Sequence, residues 1–166
     1  MKLVLSIVCL FGLGAVAPGA QNRPDFSGTW TMDLSRSEAA AQGTPTGPVV
    51  LAIRQTPAEV RIETTRNGRT EVVRYLPAEA KAAGAGELIG AFRWDGAKLV
   101  TTLVADINKQ AITVEEARSL DPAGREMTVE VSLVVEHGYQ AGGTGVLRSQ
   151  NSPNTSKGTN VFLKKP

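Results

Sequence analysis

Cysteine is all but missing from this sequence: Cys9 is the only one, and it lies inside an N-terminal apolar run. Disulfide staples, thiol chemistry and a cysteine-built zinc site are therefore excluded from the rest of the chain. Histidine is equally scarce. His137 stands alone, which excludes a multi-histidine metal centre and leaves little for a nucleophilic triad. No Gly-x-Ser-x-Gly elbow occurs, and no glycine-rich loop follows a strand to open a phosphate-binding helix. Aromatic residues make up only 5% of the chain, so any cavity has to be lined by Val, Leu, Ile and Met. Neither sign of charge dominates, with 18 Lys+Arg against 16 Asp+Glu and a net charge of +2. Without clustered charge there is no field to attract a nucleic acid. No metal, no cofactor and no nucleic-acid partner is expected.

What is there begins with a distinct first segment. Lys2 precedes an apolar run from Leu3 to Val16 interrupted only by Ser6, and small residues follow at Ala15, Ala17, Gly19 and Ala20. This is the pattern of a secretory signal peptide over residues 1–20, cleaved near Gly19 or Ala20. The run is shorter than the ~20 apolar residues a spanning helix needs, and none of that kind follows. The expected location is extracytoplasmic, in the periplasm or outside the cell. Residues 21–166 then form one domain, long enough to bury about two-thirds of its unfolded surface without covalent staples.

That domain reads as short strands between turn signals. The expected strands are Phe26 to Leu34, Val49 to Arg54, Val60 to Thr65, Thr70 to Tyr75, Leu88 to Trp94, Lys98 to Ala105, Ala111 to Ser119, Glu126 to Val135 and Thr159 to Lys164. Asn67-Gly68 between two alternating runs is a strong hairpin signal. A two-residue loop there pairs Arg66 with Arg69, Ile62 with Val73 and Val60 with Tyr75, leaving one face apolar and the other charged. Asp95-Gly96 is read as the same device, setting Phe92 opposite Leu99 and Leu88 opposite Leu103. Gly138 to Gly158 has loop composition, and Ser37 to Ala41 and Lys81 to Ala85 could each form a helical turn.

The third hairpin, at Asp121-Pro122-Ala123-Gly124, carries the chemistry. A type I turn with a glycine bulge makes Pro122 to Gly124 a three-residue loop. Glu115 then lies opposite Val131, on the face that bears Met127, Val129 and Leu133. A carboxylate on an apolar interior has to be paired, protonated or matched to a ligand. The competing register is one residue away: it brings Ile112 and Val114 inside and sends Glu115 to water. It also avoids setting Glu116 against Glu130.

Eight or nine strands in sequential hairpins predict an all-β antiparallel up-and-down meander. Such a meander tends to close into a barrel that has no exposed edges; a two-sheet sandwich is the alternative.

At the first strand, Phe26-Ser27-Gly28-Thr29-Trp30 resembles the Gly-x-Trp opening of lipocalins and related calycin-type barrels. Pro24 to Trp30 with Ser35-Arg36-Ser37, then Trp94 to Leu99, then Leu120 to Val129 are together similar to lipocalin-like exported bacterial proteins of unknown function. The resemblance implies that Gly28 allows a tight chain entry, that Trp30 plugs the closed end, and that Lys164 or Lys165 packs over its ring.

The expected function is binding of a small hydrophobic ligand in the barrel interior, with Glu115, Trp94, Val131 and Leu133 as ligand contacts. Trp94 reads equally well as a packing residue or as one at the barrel mouth. The alternative is a solidly packed structural or protein-interaction domain of the cell envelope. Catalysis by Glu115 as an acid or base ranks last. Ligand identity and oligomeric state are not encoded legibly.

Overall fold

Alternation of side chains builds the strands, and their pairing closes a ring. The computed structural model describes residues 23–38, 47–78, 88–107, 110–135 and 154–166. The expected signal segment, His137 and the expected turn at Lys81 to Ala85 lie outside them. Nine strands follow one another along the described residues: β1 Gly28–Met32, β2 Val49–Gln55, β3 Val60–Arg66, β4 Arg69–Pro77, β5 Leu88–Asp95, β6 Lys98–Ile107, β7 Gln110–Leu120, β8 Glu126–Val135 and β9 Asn154–Lys164. Each pairs with its neighbour in sequence, and β1 pairs with β9, so the sheet is a closed barrel rather than a sandwich.

One joint differs from the expected meander: β4 and β5 are parallel, with Val73 opposite Leu88 and Pro77 opposite Phe92. Parity explains why. Direction reverses at every antiparallel joint, so a closed ring of nine strands cannot be antiparallel throughout. At least one joint must be parallel.

Three hairpins fix which residues face inward. At β3–β4, Asn67 and Gly68 have φ of 50° and 74°, as a type I′ turn requires, and the pairing of Val60 with Tyr75 and Ile62 with Val73 follows directly. At β5–β6 the turn residues are Gly96 and Ala97, not Asp95 and Gly96. Gly96 carries the positive φ of 57°, and Asp95 ends its strand opposite Lys98. Trp94 therefore faces Leu99 and Phe92 faces Thr101. A slip of two residues leaves every side chain on its expected face.

The slip at β7–β8 is one residue, and it inverts a face. Asp121 governs the turn: its Oδ1 accepts from the backbone N–H groups of Arg125 (2.7 Å) and Glu126 (2.8 Å), and its own N–H donates to Glu126 O at 2.9 Å. Leu120 then pairs with Met127, Glu116 with Val131 and Glu115 with Ser132. Glu115 points outward, and Glu116 and Arg118 point into the barrel.

Two smaller differences follow from tertiary pairing. β9 begins at Asn154, five residues before the expected start, because β8 supplies backbone partners down to the Val135–Asn154 pair whatever the composition of the added stretch. Between β1 and β2 the helical turn is a 3-10 turn at Leu34–Arg36, capped by Asp33. Ser37 is extended and Glu38 bridges to Thr159.

The core occupies the end of the barrel where the N-terminal segment crosses. Phe26, Trp30, Val60, Leu99 and Met127 are fully buried there. Trp30 Nε1 donates to Phe26 O at 2.9 Å. Lys164 Nζ lies 5.1 Å from the Trp30 ring centroid, in cation–π range. Gly28 has φ of 133°, and a Cβ on it would come within 2.8 Å of Lys164 Cε. Gln55 ties the crossing segment down, accepting from Phe26 N and donating to Pro24 O.

Candidate functional site

Burial along the inward-facing positions falls from one barrel end to the other on β4, β5, β6 and β8, but not on β2, where Val49, Leu51 and Ile53 are all buried. On β8, Met127 and Val129 are buried, whereas Val131, Leu133 and Val135 are half-buried. On β5, Phe92 is buried, Gly90 is half-buried and Leu88 is 40% exposed. On β4, Tyr75 and Val73 are buried and Glu71 is exposed. On β6, Leu99 and Thr101 are buried and Leu103 only partly so. On these four strands the inner surface is packed at the Trp30 end and less buried toward the other.

A polar cluster sits where the two regimes meet. Arg118 is 2% exposed, a placement an arginine tolerates only when its charge and donors are met. Its Nη1 donates to Thr101 Oγ1 at 2.6 Å, and its Nη2 donates to the carboxylate of Glu116. Glu116 is itself 27% exposed, so its carboxylate looks into the open half while Arg118 holds it from the core side. The Tyr75 hydroxyl lies near the same Thr101 side chain. Burial pushes the Tyr75 phenol up to about 12, and the charge of Glu116 adds to the rise. The Tyr75 ring fits because of Gly90: a Cβ there would come within 2.6 Å of the ring and of Thr102 O.

Chemically, the cluster sets polar side chains beside a row of apolar ones. One cross-strand row holds Thr101, Glu116, Val131 and Gly158; the next toward the mouth holds Leu103, Val114 and Leu133. Two atoms on this inner surface are buried without a hydrogen-bond partner, Arg118 Nε and Asn160 Oδ1.

The expected site residues divide. Val131 and Leu133 are half-buried on the inward-facing side of β8. Glu115 does not: it is on the outer surface, with its side chain 45% exposed and 3.4 Å from Arg93 Nη2. There it borders a groove of about 480 Å³ together with Glu130, Lys157, Thr159 and Glu38, whose lining also takes in Val131 and Gly158. The apolar burial on which its ligand or acid–base role depended is absent. Trp94 lies at the packed end, its ring 6.2 Å from that of Phe26, with Arg23 Cζ 5.3 Å above it; it packs the base and does not rim the mouth. Gly28, Trp30 and Lys164 meet at that base as described.

Sequence reasoning missed Glu116, Arg118, Thr101 and Tyr75. The signal was present in the unfavourable Glu116–Glu130 pairing of the other register, and in Ile112 and Val114, which that register turned to water. Among the described residues, no group of three His, Cys, Asp or Glu side chains is placed to hold a metal ion, and no helix is long and apolar enough to cross a membrane. No protein-family profile and no curated protein matches the chain.

Proposed function

We propose that this protein is an exported, lipocalin-like binding module that holds a small, largely apolar molecule in the open half of its barrel. One observation carries the reading: along β4, β5, β6 and β8 the inward faces change from buried to half-buried or exposed, which suits apolar walls left free to receive a ligand. Half-buried apolar walls with a few convergent polar groups are the usual make-up of a ligand site. The contact of Lys164 with Trp30 beside Gly28 supports kinship with lipocalin-type barrels. Nine strands with one parallel joint set it apart from the eight-strand version of that architecture. Export rests on the pattern of residues 1–20.

Native mass spectrometry of the protein purified from its own host tests the proposal. The expected result is a chain shortened by about 20 residues, carrying a small adduct that leaves on denaturation. A bare mass under gentle conditions, unchanged after incubation with an apolar probe such as N-phenyl-1-naphthylamine, overturns it.

A further inference from the structure

The β5–β6 joint stops short of the far end. Its ladder runs from Asp95 opposite Lys98 to Ala91 opposite Thr102 and no further. Beyond it, among the described residues, Leu88, Ile89 and Gly90 pair only with β4, and Leu103 to Ile107 pair only with β7. Their facing edges hold no ladder between them. The β1–β9 joint also ends early, at Met32 opposite Phe162, but there the chain carries the pairing on: Asp33 N donates to Val161 O, and Glu38 bridges to Thr159. Gly90 marks where the β5–β6 ladder gives out. A Cβ on it would come within 2.6 Å of Thr102 O, so the two strands still touch at that point.

On its other flank the unpaired stretch meets β4. Leu88 stands opposite Val73, and Arg69 to Val72 run on past it. Five large apolar side chains are exposed among the described residues, and three of them border this stretch: Val72 at 36%, Leu88 at 40% and Val104 at 65%. Unpaired strand edges beside exposed apolar side chains are a feature that proteins ordinarily pair, cover or charge. Here they lie at the less buried end of the barrel, and Leu88 belongs to the inward-facing side. Separating these two edges breaks no ladder hydrogen bond, whereas parting a paired joint breaks several, each worth about 1 kcal/mol.

We propose that this unzipped seam is a side opening of the barrel, through which an apolar molecule passes between solvent and the interior. Leu88 and Ile89 form one edge of the opening, Leu103 and Val104 the other. This rests on the reading of the protein as a binding module, and deepens it by naming the route.

The test is to zip the seam. Continued from Ala91 and Thr102, the register sets Ile89 opposite Val104, so Ile89→Cys with Val104→Cys is expected to form a disulfide across it. Cys9→Ser in the same chain leaves only the introduced thiols to pair. Stopped-flow fluorescence follows uptake and release of N-phenyl-1-naphthylamine. The oxidised variant is expected to slow both by about tenfold. Kd should change little, since a gate acts on both directions alike, and reduction is expected to restore both rates. Unchanged rates, with the disulfide shown by mass, overturn the route. Amide hydrogen exchange on the unaltered protein is the second measurement, and it decides if the bridge does not form. Leu88–Gly90 and Leu103–Ala105 are expected to exchange at least about tenfold faster than Phe92–Trp94 and Leu99–Thr101. Equal protection means that the seam is closed or covered, and overturns the proposal. If the probe does not bind at all, the binding reading falls and the route with it; a probe that binds at unchanged rates removes the route alone.

Discussion

Met127 and Leu133 lie on the same face of β8, six residues apart, and their surroundings differ. Met127 is fully buried among the residues that pack the Trp30 end, whereas Leu133 is half-buried on a wall that opens outward. The same contrast holds between Phe92 and Leu88 on β5, and between Tyr75 and Glu71 on β4. Stability and accessibility are therefore separated along the length of the strands. The packed end holds the barrel together, and Arg118 and Glu116 sit where burial begins to fall.

The sharpest way to break this contrast is to truncate one residue in each half. Trp30→Ala is expected to cost about 3–5 kcal/mol, enough to unfold a marginal domain, and Leu133→Ala about 1 kcal/mol, because the half-exposed site loses less contact and leaves no sealed cavity. Urea denaturation of both variants checks this; equal losses would mean that the interior is packed uniformly.

The boundary comes next. Glu116→Gln leaves the Arg118 charge uncompensated inside the barrel. The expected cost is about 2–3 kcal/mol, below the range for a fully buried pair because Glu116 is partly solvated. Replacing both partners, Arg118→Met with Glu116→Leu, is expected to recover most of that loss. If the double variant is no better than the single, the pair does more than neutralise itself.

Tyr75 supplies a pH test of the same boundary. Its proton is held up to about 12 in the folded chain against an ordinary 10.0. Below the lower value both folded and unfolded forms are protonated, and the contribution is complete. Between the two the unfolded chain ionises first, so stability falls as pH rises, by on the order of 2 kcal/mol. Tyr75→Phe is expected to flatten this alkaline slope in denaturation midpoints measured from about pH 9 upward.

The smallest effect is expected outside the barrel. Glu115→Gln breaks only an exposed pair with Arg93 and should shift stability by less than about 0.5 kcal/mol. Neighbouring glutamates, one costly to change and one nearly silent, would mark the inner and outer faces of β7 directly.

Legibility in the sequence followed how tightly each turn is specified. Asn67-Gly68 dictates its backbone and therefore its register, so the pairing of β3 with β4 could be read residue by residue. Strand positions were legible for the same reason, since alternation repeats at every hairpin; closure was expected only because a meander tends to lose its edges, as alternation does not separate a barrel from a sandwich. The β7–β8 turn was not, because its length depends on the Asp121 carboxylate collecting N–H groups from Arg125 and Glu126, which composition alone does not reveal. Adjacent Glu115 and Glu116 made matters worse: either could face inward, and an arginine on an apolar face looks implausible until its partners from β6 and β7 are in place. Trp94 was ambiguous because a residue beside a tight turn could lie at either barrel end.

The parallel joint has a consequence for how the chain assembles. It divides the ring into two ribbons, β1 to β4 and β5 to β9, each able to zip from hairpins between near neighbours. Fastening the ribbons takes two seams, and these are unequal: β4 and β5 are close in sequence, whereas β1 and β9 stand at opposite ends of the domain. Loop-closure entropy rises with separation, so the β1–β9 seam is the slow one, and it is the seam that carries Lys164 onto Trp30. The contact that closes the Trp30 end is thus the one expected to cost most to close, and slower folding of a variant at that seam would check it.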